Sequence, residues 1–269
     1  MLLKRLVFFG GKGGVGKSTL ACATALRLSE REKTLLVSID PAHSLSGILG
    51  VQVGPSLKRL KENFFAIELD ASRLVEEYTD RVLSALTDIL PRVRSGIREY
   101  VKYLKNSPTA LETAVLDRIV DYCMEFPSVI VDSAPTGQML RLFETAHMVG
   151  GWFEFLKKVA EERGKVEAFM GRRDGLSELI EDRRKRLDTL VKIFREKTVV
   201  FAVANEEPLS MQEARDIENR LKDMRVQLVL NRWKSMECDC IKIPEQERPY
   251  SIESLRRLPV EELVTYLFQ

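Results

Sequence analysis

The sequence predicts an α/β fold with a mainly parallel sheet, helices on both faces of the sheet and an inserted helical subdomain. Short apolar segments alternate with segments of helical periodicity, and several of the apolar segments end in a polar residue. Strands that are apolar throughout are typical of parallel sheets covered on both faces. The predicted strands are Lys4–Phe9, Thr34–Ile39, Phe65–Leu69, Ser128–Val131, Thr198–Val203 and Val226–Leu230.

Helical periodicity first appears over Ser18–Ser29, directly after the first predicted strand and a glycine-rich turn. Two longer stretches, at about 71–126 and 150–197, are also helical in pattern and rich in charge. They fit the strand–helix alternation poorly. We therefore interpret them as helical insertions within a single domain that spans residues 1–269.

The composition argues against several classes of protein. Lys and Arg total 42 while Asp and Glu total 40, so the chain lacks the basic excess of a dedicated nucleic-acid binder. No apolar run reaches the roughly 20 residues that a transmembrane helix needs, so we expect no stable membrane insertion. Four cysteines in 269 residues make no disulfide framework. We expect a cytoplasmic protein that associates with a membrane at most transiently.

A glycine-rich loop between the first predicted strand and helix matches the phosphate-binding pattern G-x-x-x-x-G-K-[S/T]. Glycines allow successive backbone N–H groups to surround phosphate oxygens, and the helix N-terminus adds partial positive charge. Lys17 would contact the β- and γ-phosphates of ATP, and the Ser18 hydroxyl would bind Mg²⁺. The predicted ATP-binding residues of the loop are Gly11, Lys12, Gly13, Gly14, Val15, Gly16, Lys17, Ser18 and Thr19. The pattern and its context predict a P-loop NTPase.

Polar residues follow other predicted strands of the sheet. Asp40 follows the second strand, Asp132 the fourth and Asn231 the last. Ligands of open α/β sheets bind at the carboxyl ends of the strands, where carboxylates can hold Mg²⁺-bound waters. Asp40 and Asp132 are therefore candidate catalytic residues and magnesium ligands through water. N-capping of the following helices is the alternative role for both.

The second lysine of the loop carries a resemblance to a known group of proteins. The segment KGGVGKS, with Lys12 as its first residue, resembles the deviant Walker A loop of a group of dimeric ATPases. That group includes MinD/ParA, the nitrogenase iron protein, the arsenical pump-driving ATPases and the tail-anchored-protein targeting ATPases. In these families the extra lysine reaches the partner's nucleotide across a dimer interface. The resemblance implies a homodimer in which Lys12 is catalytic.

Further segments resemble the last two families of that group. DPAHSL from Asp40 and DSAPTG from Asp132 are similar to their two switch segments. The resemblance also implies ATP contacts from Glu207, in the segment EPLS, from Asn231, which would recognise adenine, and from a loop over the adenine. The loop residues are Pro244 and Glu245.

Two positions depart from the targeting ATPases. Those proteins carry an Asp seven residues after the first switch Asp, where it places the attacking water, and this chain has Gly47. Hydrolysis is then either slow or supported by Asp40 and Asp132 through Mg²⁺-bound water. Their zinc-binding CxxC is replaced by Cys238-Asp239-Cys240. Two such pairs across a two-fold axis would supply four sulfurs for Zn²⁺, whereas an unligated thiol pair is the alternative.

Two functions of this group remain open from the sequence. The favoured one is binding and delivery of hydrophobic, tail-anchored membrane-protein clients, driven by ATP hydrolysis. The alternative is the energising subunit of an arsenite or anion efflux pump, whose known form resembles two such halves in one chain. The partners expected are a second copy of the chain and either a hydrophobic client helix or a membrane receptor or pump. The C-terminal segment Pro259–Gln269 is interpreted as a packed structural helix, since acidic residues flank its apolar positions.

Overall fold

The computed structural model describes residues 3–40, 42, 44–89, 102, 105–107, 109–133, 136–145, 185 and 188–269. Eight strands of these residues form one sheet: β1 Arg5–Gly10, β2 Thr34–Ser38, β3 Lys58–Arg59, β4 Phe64–Glu68, β5 Ser128–Asp132, β6 Thr198–Ala204, β7 Arg225–Trp233 and β8 Ile241–Pro244. The main helices are α1 Lys17–Ser29, α2 Leu45–Leu49, α3 Ala71–Ile89, α4 Ala110–Glu125, α5 Pro208–Arg220, α6 Ile252–Leu255 and α7 Glu261–Tyr266. Residues 136–145 and 188–196 are also helical.

The strand order across the sheet is β3–β4–β2–β5–β1–β6–β7–β8. Every neighbouring pair is parallel except β3 with β4. The mainly parallel α/β sheet predicted from the sequence is therefore confirmed. Because the strands are parallel, the carboxyl ends of β1, β2, β5 and β6 lie along one edge, here called the carboxyl edge; the opposite edge is the amino edge.

Helices cover both faces of this sheet. On one face Val7 and Phe9 of β1 belong to a buried apolar cluster shared with α1, α6 and α7. On the other face Phe8 packs edge-to-face against Phe194, with ring centroids 6.1 Å apart. Gly10 lies against Met139 on that second face, and a Cβ at this glycine would overlap the Met139 side chain. The close packing on both faces explains why these strands are apolar throughout.

The C-terminal helix belongs to this core, as predicted. Val260, Leu263, Val264 and Leu267 are all buried in the cluster with α1. The apolar positions of α7 are therefore occupied by contacts within the chain. None of the described helices is long and apolar enough to cross a membrane.

The chain divides into two compact units. One, the sheet unit, comprises residues 1–70, 121–140 and 193–269, and the other, the helical unit, comprises residues 71–120 and 141–192. Within the helical unit α3 and α4 are joined by ion pairs, including one of 2.8 Å between Arg81 and Asp117. The predicted insertion at 71–126 is helical over α3 and α4, whereas residues 150–184, 186 and 187 of the second predicted insertion, at 150–197, lie outside the described residues. The assignment of both insertions to a single domain stays a prediction.

Two features of the sheet differ from the prediction. The short strands β3 and β8 were not predicted, because two and four residues are too few to show a pattern. In addition, β7 continues past Asn231 to Trp233, since β8 pairs with it there across a register shift. Asn231 therefore lies within a strand near its end, and does not follow the strand.

Candidate functional site

The loop between β1 and α1 contains glycines at positions where a side chain would be strained or would overlap a neighbour. Gly11 and Gly16 have φ angles of 138° and 100°, in the left-handed region that side chains disfavour. A Cβ on Gly11 would overlap the Val203 carbonyl oxygen of β6, and one on Gly16 would overlap the Asn231 amide nitrogen. The loop backbone therefore passes directly against β6 and β7. Thr19, in the first turn of α1, is half-buried beside this loop.

Lys17 opens α1 and is almost entirely buried, with 5% of its surface exposed. Its ammonium Nζ donates one hydrogen bond, of 3.1 Å, to the Lys12 carbonyl oxygen of the same loop. Burial lowers the pKa of Lys17, and the nearby carboxylates of Asp132, Asp40 and Glu213 oppose that effect. An ammonium group has three N–H donors, so this loop holds a buried cation whose hydrogen bonding is only partly used.

The predicted carboxylates Asp132 and Asp40 meet at the ends of β5 and β2. Asp132 is fully buried, and its Oδ2 lies 3.4 Å from the donating Ser38 hydroxyl. The same hydroxyl oxygen accepts the backbone N–H of Asp40 at 3.3 Å. Ser38 therefore joins the two aspartates, and it is a site residue that sequence reasoning missed. Its position, two residues before Asp40 at the end of a strand, was the available signal.

The remaining oxygen of Asp132 has no partner. Within the described residues Oδ1 is buried and accepts no hydrogen bond. The pKa of Asp132 is raised to about 7, chiefly by burial. The charge of Asp40 also raises it, whereas the Ser18 hydroxyl lowers it. A buried carboxylate without a partner is costly, and a bound cation is one way to satisfy it. Ser18 and Asp132 both act on this site beside the cationic Lys17, and their binding of Mg²⁺ stays a prediction.

Lys12, the second lysine of the loop, is in contact with Glu207. Their charged groups lie 3.5 Å apart, with 34% and 62% of the two side chains exposed. Ion pairs this exposed contribute on the order of 0–1 kcal/mol, so the contact is easily exchanged for another. The structure thus brings Glu207, a predicted ATP contact, to the phosphate loop, and it leaves the Lys12 ammonium accessible.

The predicted base-binding residues lie at the ends of β7 and β8. The Asn231 side-chain amide donates to the Val15 carbonyl oxygen of the phosphate loop at 2.7 Å. Pro244 ends β8 opposite Trp233, and the following Glu245 lies 3.4 Å from Lys234 in an ion pair. The hydrogen bond from Asn231 to Val15 connects this end of the sheet to the phosphate loop. Their contacts with adenine stay a prediction.

The cysteine pair lies on the loop between β7 and β8. Cys238 and Cys240 are joined as a disulfide, with their Cα atoms 5.4 Å apart. In the described part of the chain, no group of three or more His, Cys, Asp or Glu residues could hold a metal ion. The predicted Zn²⁺ site, which needs two such pairs from two chains, therefore gains no support from the single chain.

Some residues of the two predicted switch segments lie outside the described residues. They are Pro41 and His43 of the first and Ala134 and Pro135 of the second. Thr136 of the second is described, and its hydroxyl donates to Glu213 of α5 at 3.3 Å. Glu213 in turn acts on the charge of Lys17. Glu213 thus connects the second predicted switch to the phosphate loop. This connection depends on tertiary contacts, so no local sequence pattern predicts it.

Comparison with known proteins agrees with this arrangement. The model of the family described as anion-transporting ATPase matches residues 4–242. The chain belongs to the anion-transporting ATPase family. Membership of this family, together with the glycine loop, the buried lysine and the paired aspartates, makes the chain a P-loop ATPase.

Several relatives from this family are similar to the chain over much of its length. A putative arsenical pump-driving ATPase 2 of Aquifex aeolicus (strain VF5) is 30% identical over 239 residues, covering 85% of this chain and 80% of that protein. An ATPase ASNA1 homolog of Dictyostelium discoideum is 30% identical over 201 residues, covering 72% and 58%. An arsenical pump-driving ATPase of Escherichia coli is 32% identical over 156 residues, covering 56% of this chain and 26% of its own length. The match thus spans most of the first relative and about a quarter of the last.

Proposed function

We propose that two copies of this chain bind ATP with Mg²⁺ at residues 11–19 and hydrolyse it. The closure of the dimer would drive the binding and delivery of apolar, tail-anchored membrane-protein helices. The observation that carries the nucleotide part is the presence, near one another, of a buried Lys17 that donates one hydrogen bond and a buried Asp132 oxygen that accepts none from the described residues. A triphosphate with its cation satisfies both at once.

The residues of the loop and of the nearby strand ends have separate roles in binding Mg²⁺ and ATP. Lys17 holds the β- and γ-phosphates, while Ser18 binds Mg²⁺ directly and Asp40 and Asp132 hold it through water. When bound, the metal neutralises charge on the phosphate oxygens. Lys12 is released from its exposed contact with Glu207 and reaches the partner's nucleotide, where it stabilises the charge of the transferred phosphoryl group.

The base is held at the ends of β7 and β8. The Asn231 amide offers both a donor and an acceptor, which match the edge of adenine. Pro244, which is the last residue of β8 and not part of a loop, and Glu245 directly after it would lie over the base. The bond from Asn231 to Val15 supports this role, because it places the amide at the phosphate loop before any base is bound.

The cysteines favour client delivery over an arsenite pump. As(III) is held in proteins by cysteine sulfur, a soft ligand. Cys22 and Cys123 are both buried. These two thiols are therefore enclosed by the protein, and only the paired Cys238 and Cys240 remain as candidate sulfur ligands. The alternative, an energising subunit of an arsenite or anion pump, is supported by the name of the Aquifex relative, an arsenical pump-driving ATPase, and by this adjacent sulfur pair.

ATPase assays separate the two functions. Turnover is measured with no addition, with a peptide carrying one apolar helix of about 20 residues, and with arsenite. Client delivery predicts that the peptide changes turnover, whereas a scrambled peptide of the same composition with charges distributed through it does not. Stimulation by arsenite alone, lost in the Cys238→Ser/Cys240→Ser variant, would establish the pump role instead.

We also propose Zn²⁺ as a ligand of the reduced cysteine pairs of two chains. Four sulfurs across a two-fold axis supply the tetrahedral set that zinc accepts. Elemental analysis of the reduced, purified dimer and of the double Ser variant tests this. The proposal predicts about one zinc per two chains in the first and none in the second. Equal, negligible zinc in both would end it.

A further inference from the structure

Glu206 makes an unusual set of contacts one residue before Glu207. Its Oε1 accepts the backbone N–H groups of Lys234, Ser235 and Met236, at 2.9, 2.8 and 2.8 Å. Three successive amides that point at one oxygen form a nest, an arrangement that proteins use to bind anions. These three bonds lower the pKa of Glu206. The nest is therefore occupied by a carboxylate of the same chain.

The turn that Glu206 holds begins directly after the predicted adenine-binding residue. Asn231 and Trp233 flank a register shift in β7, and Arg232 between them has a φ angle of 55°. The Trp233 indole N–H then donates to the Met236 carbonyl oxygen at 3.0 Å. The strand is thus irregular directly after Asn231, and the turn at residues 234–236, which Glu206 holds, follows this irregularity.

The same turn contacts the second predicted base-binding segment. Lys234, whose amide donates to Glu206, forms the 3.4 Å ion pair with Glu245. One carboxylate therefore holds the turn that follows Asn231 and that carries Lys234, the partner of Glu245. Its neighbour Glu207 contacts Lys12 in the phosphate loop. Glu206 lies where the phosphate and base ends of the site meet.

We infer that Glu206 is a positioning residue that fixes the distance between Asn231 and Glu245 and so sets the preference of the site for adenine. The inference rests on the proposed function, because it concerns the same ATP site. Glu206 acts through the 234–236 turn, and among the described residues no other carboxylate is bonded to those three amides.

A purely structural role predicts a different outcome. The hydrogen bonds of Glu206 lie at the surface, so water replaces them when the carboxylate is removed and the sheet remains folded. The loop at residues 11–19 is built from β1 and α1 and does not use these bonds. Loss of Glu206 should therefore alter recognition of the base and leave recognition of the phosphates intact.

The test compares three probes on three proteins by calorimetric titration in the presence of Mg²⁺. The probes are ATP, GTP and inorganic triphosphate, and the proteins are the wild type, Glu206→Ala and the matched control Glu218→Ala. Glu218 is an exposed glutamate of α5, so its removal makes the same change of charge. Glu206→Gln, which keeps an acceptor oxygen, serves as the conservative variant.

The inference predicts that Glu206→Ala binds ATP about tenfold more weakly, the equivalent of roughly 1.4 kcal/mol, and loses most of its preference for ATP over GTP. Its affinity for inorganic triphosphate stays within about twofold of wild type. Glu206→Gln recovers part of the preference, and Glu218→Ala matches wild type throughout.

Two results would overturn the inference. In the first, Glu206→Ala keeps the wild-type ratio of ATP to GTP affinity. In the second, it loses affinity for ATP and for triphosphate in equal proportion, as a general disturbance of the site would cause. Failure of the wild type to bind any of the three probes is a distinct outcome that would contradict the proposed function itself.

Discussion

Buried charged groups lie at both the amino edge and the carboxyl edge of the sheet, but the two edges differ in the hydrogen bonds and ion pairs that these groups make. At the amino edge Arg5 is paired with Glu32, and Glu32 also accepts from Lys4 at 2.8 Å and from the Ser128 hydroxyl at 2.6 Å. The Arg5 guanidinium further lies 4.1 Å from the ring centroid of Phe268. At the carboxyl edge, as far as the chain is described, the buried Lys17 donates one hydrogen bond and a buried oxygen of Asp132 accepts none.

This difference separates structural charges from functional ones. Burial alone raises the pKa of Glu32, but the hydrogen bonds from Lys4 and Ser128 and the charge of Arg5 bring it below its ordinary value. At the carboxyl edge burial dominates and raises the pKa of Asp132 to about 7. The charges at the amino edge are paired within the chain, whereas at the carboxyl edge we propose that a bound ligand pairs them.

The largest effect is expected from Lys12→Ala at the carboxyl edge. If Lys12 acts on the partner's nucleotide as an arginine finger does, turnover falls about 1,000-fold. Binding of ATP should remain, because the lysine contacts the exposed Glu207 and not the core of the loop. Steady-state ATPase assays and nucleotide titrations check this, with Lys4→Ala at the amino edge as the control. Unchanged turnover in Lys12→Ala would show that no lysine acts across the interface.

Asp132→Asn is expected to have the next largest effect. Residues that orient a metal through water typically matter by about 10- to 100-fold in metal affinity or activity. Turnover should fall in that range and require more Mg²⁺, while the nucleotide-free protein stays as stable as wild type or becomes more stable, because a costly buried charge is removed. Magnesium titrations of the ATPase and thermal unfolding test both parts. A marked loss of stability would place Asp132 among the structural charges.

Glu32→Gln is the matching change at the amino edge. The side chains of Arg5 and Glu32 are 11% and 9% exposed, so removal of one charge leaves the other largely buried. Breaking such a pair costs about 2–4 kcal/mol of unfolding free energy. Denaturant unfolding measures this, and the affinity for ATP should not change. Equal stability together with weaker ATP binding would reverse the assignment of the two edges.

The smallest effect is expected from Phe268→Ala. The ring lies 4.1 Å from the Arg5 guanidinium and 4.9 Å from that of Arg31, while 46% of Phe268 is exposed. Loss of the two cation–π contacts of this half-exposed ring should reduce the unfolding free energy by about 1 kcal/mol and leave turnover unchanged. The same denaturant series measures it. A loss as large as that of Glu32→Gln would show that the ring, more than the ion pair, holds the amino edge together.

Much of the sheet and the phosphate loop could be predicted from the sequence because their signals are local. Strands such as Thr198–Ala204 are continuous apolar runs, and the loop motif occupies consecutive residues. The strand ends differ by one to three residues. The strand β8, Ile241–Pro244, was missed because four residues paired with β7 carry no periodicity of their own.

The contacts that complete the site depend on the fold. Lys12 and Glu207 are almost 200 positions apart, and the nest around Glu206 forms only where the end of β6 approaches the turn after β7. Neither contact has a local pattern. The charged residues can be read directly from the sequence. The ion-pair and hydrogen-bond partners of each charged group depend on the tertiary structure.

The most direct test of the account is a titration of Mg²⁺–ATP into the wild type, Lys17→Ala and Lys4→Ala. The account predicts that the wild type and Lys4→Ala bind with the same affinity and that Lys17→Ala shows no measurable binding while remaining folded. Equal affinity in all three proteins would mean that the triphosphate is not held at the carboxyl edge, and would contradict the account.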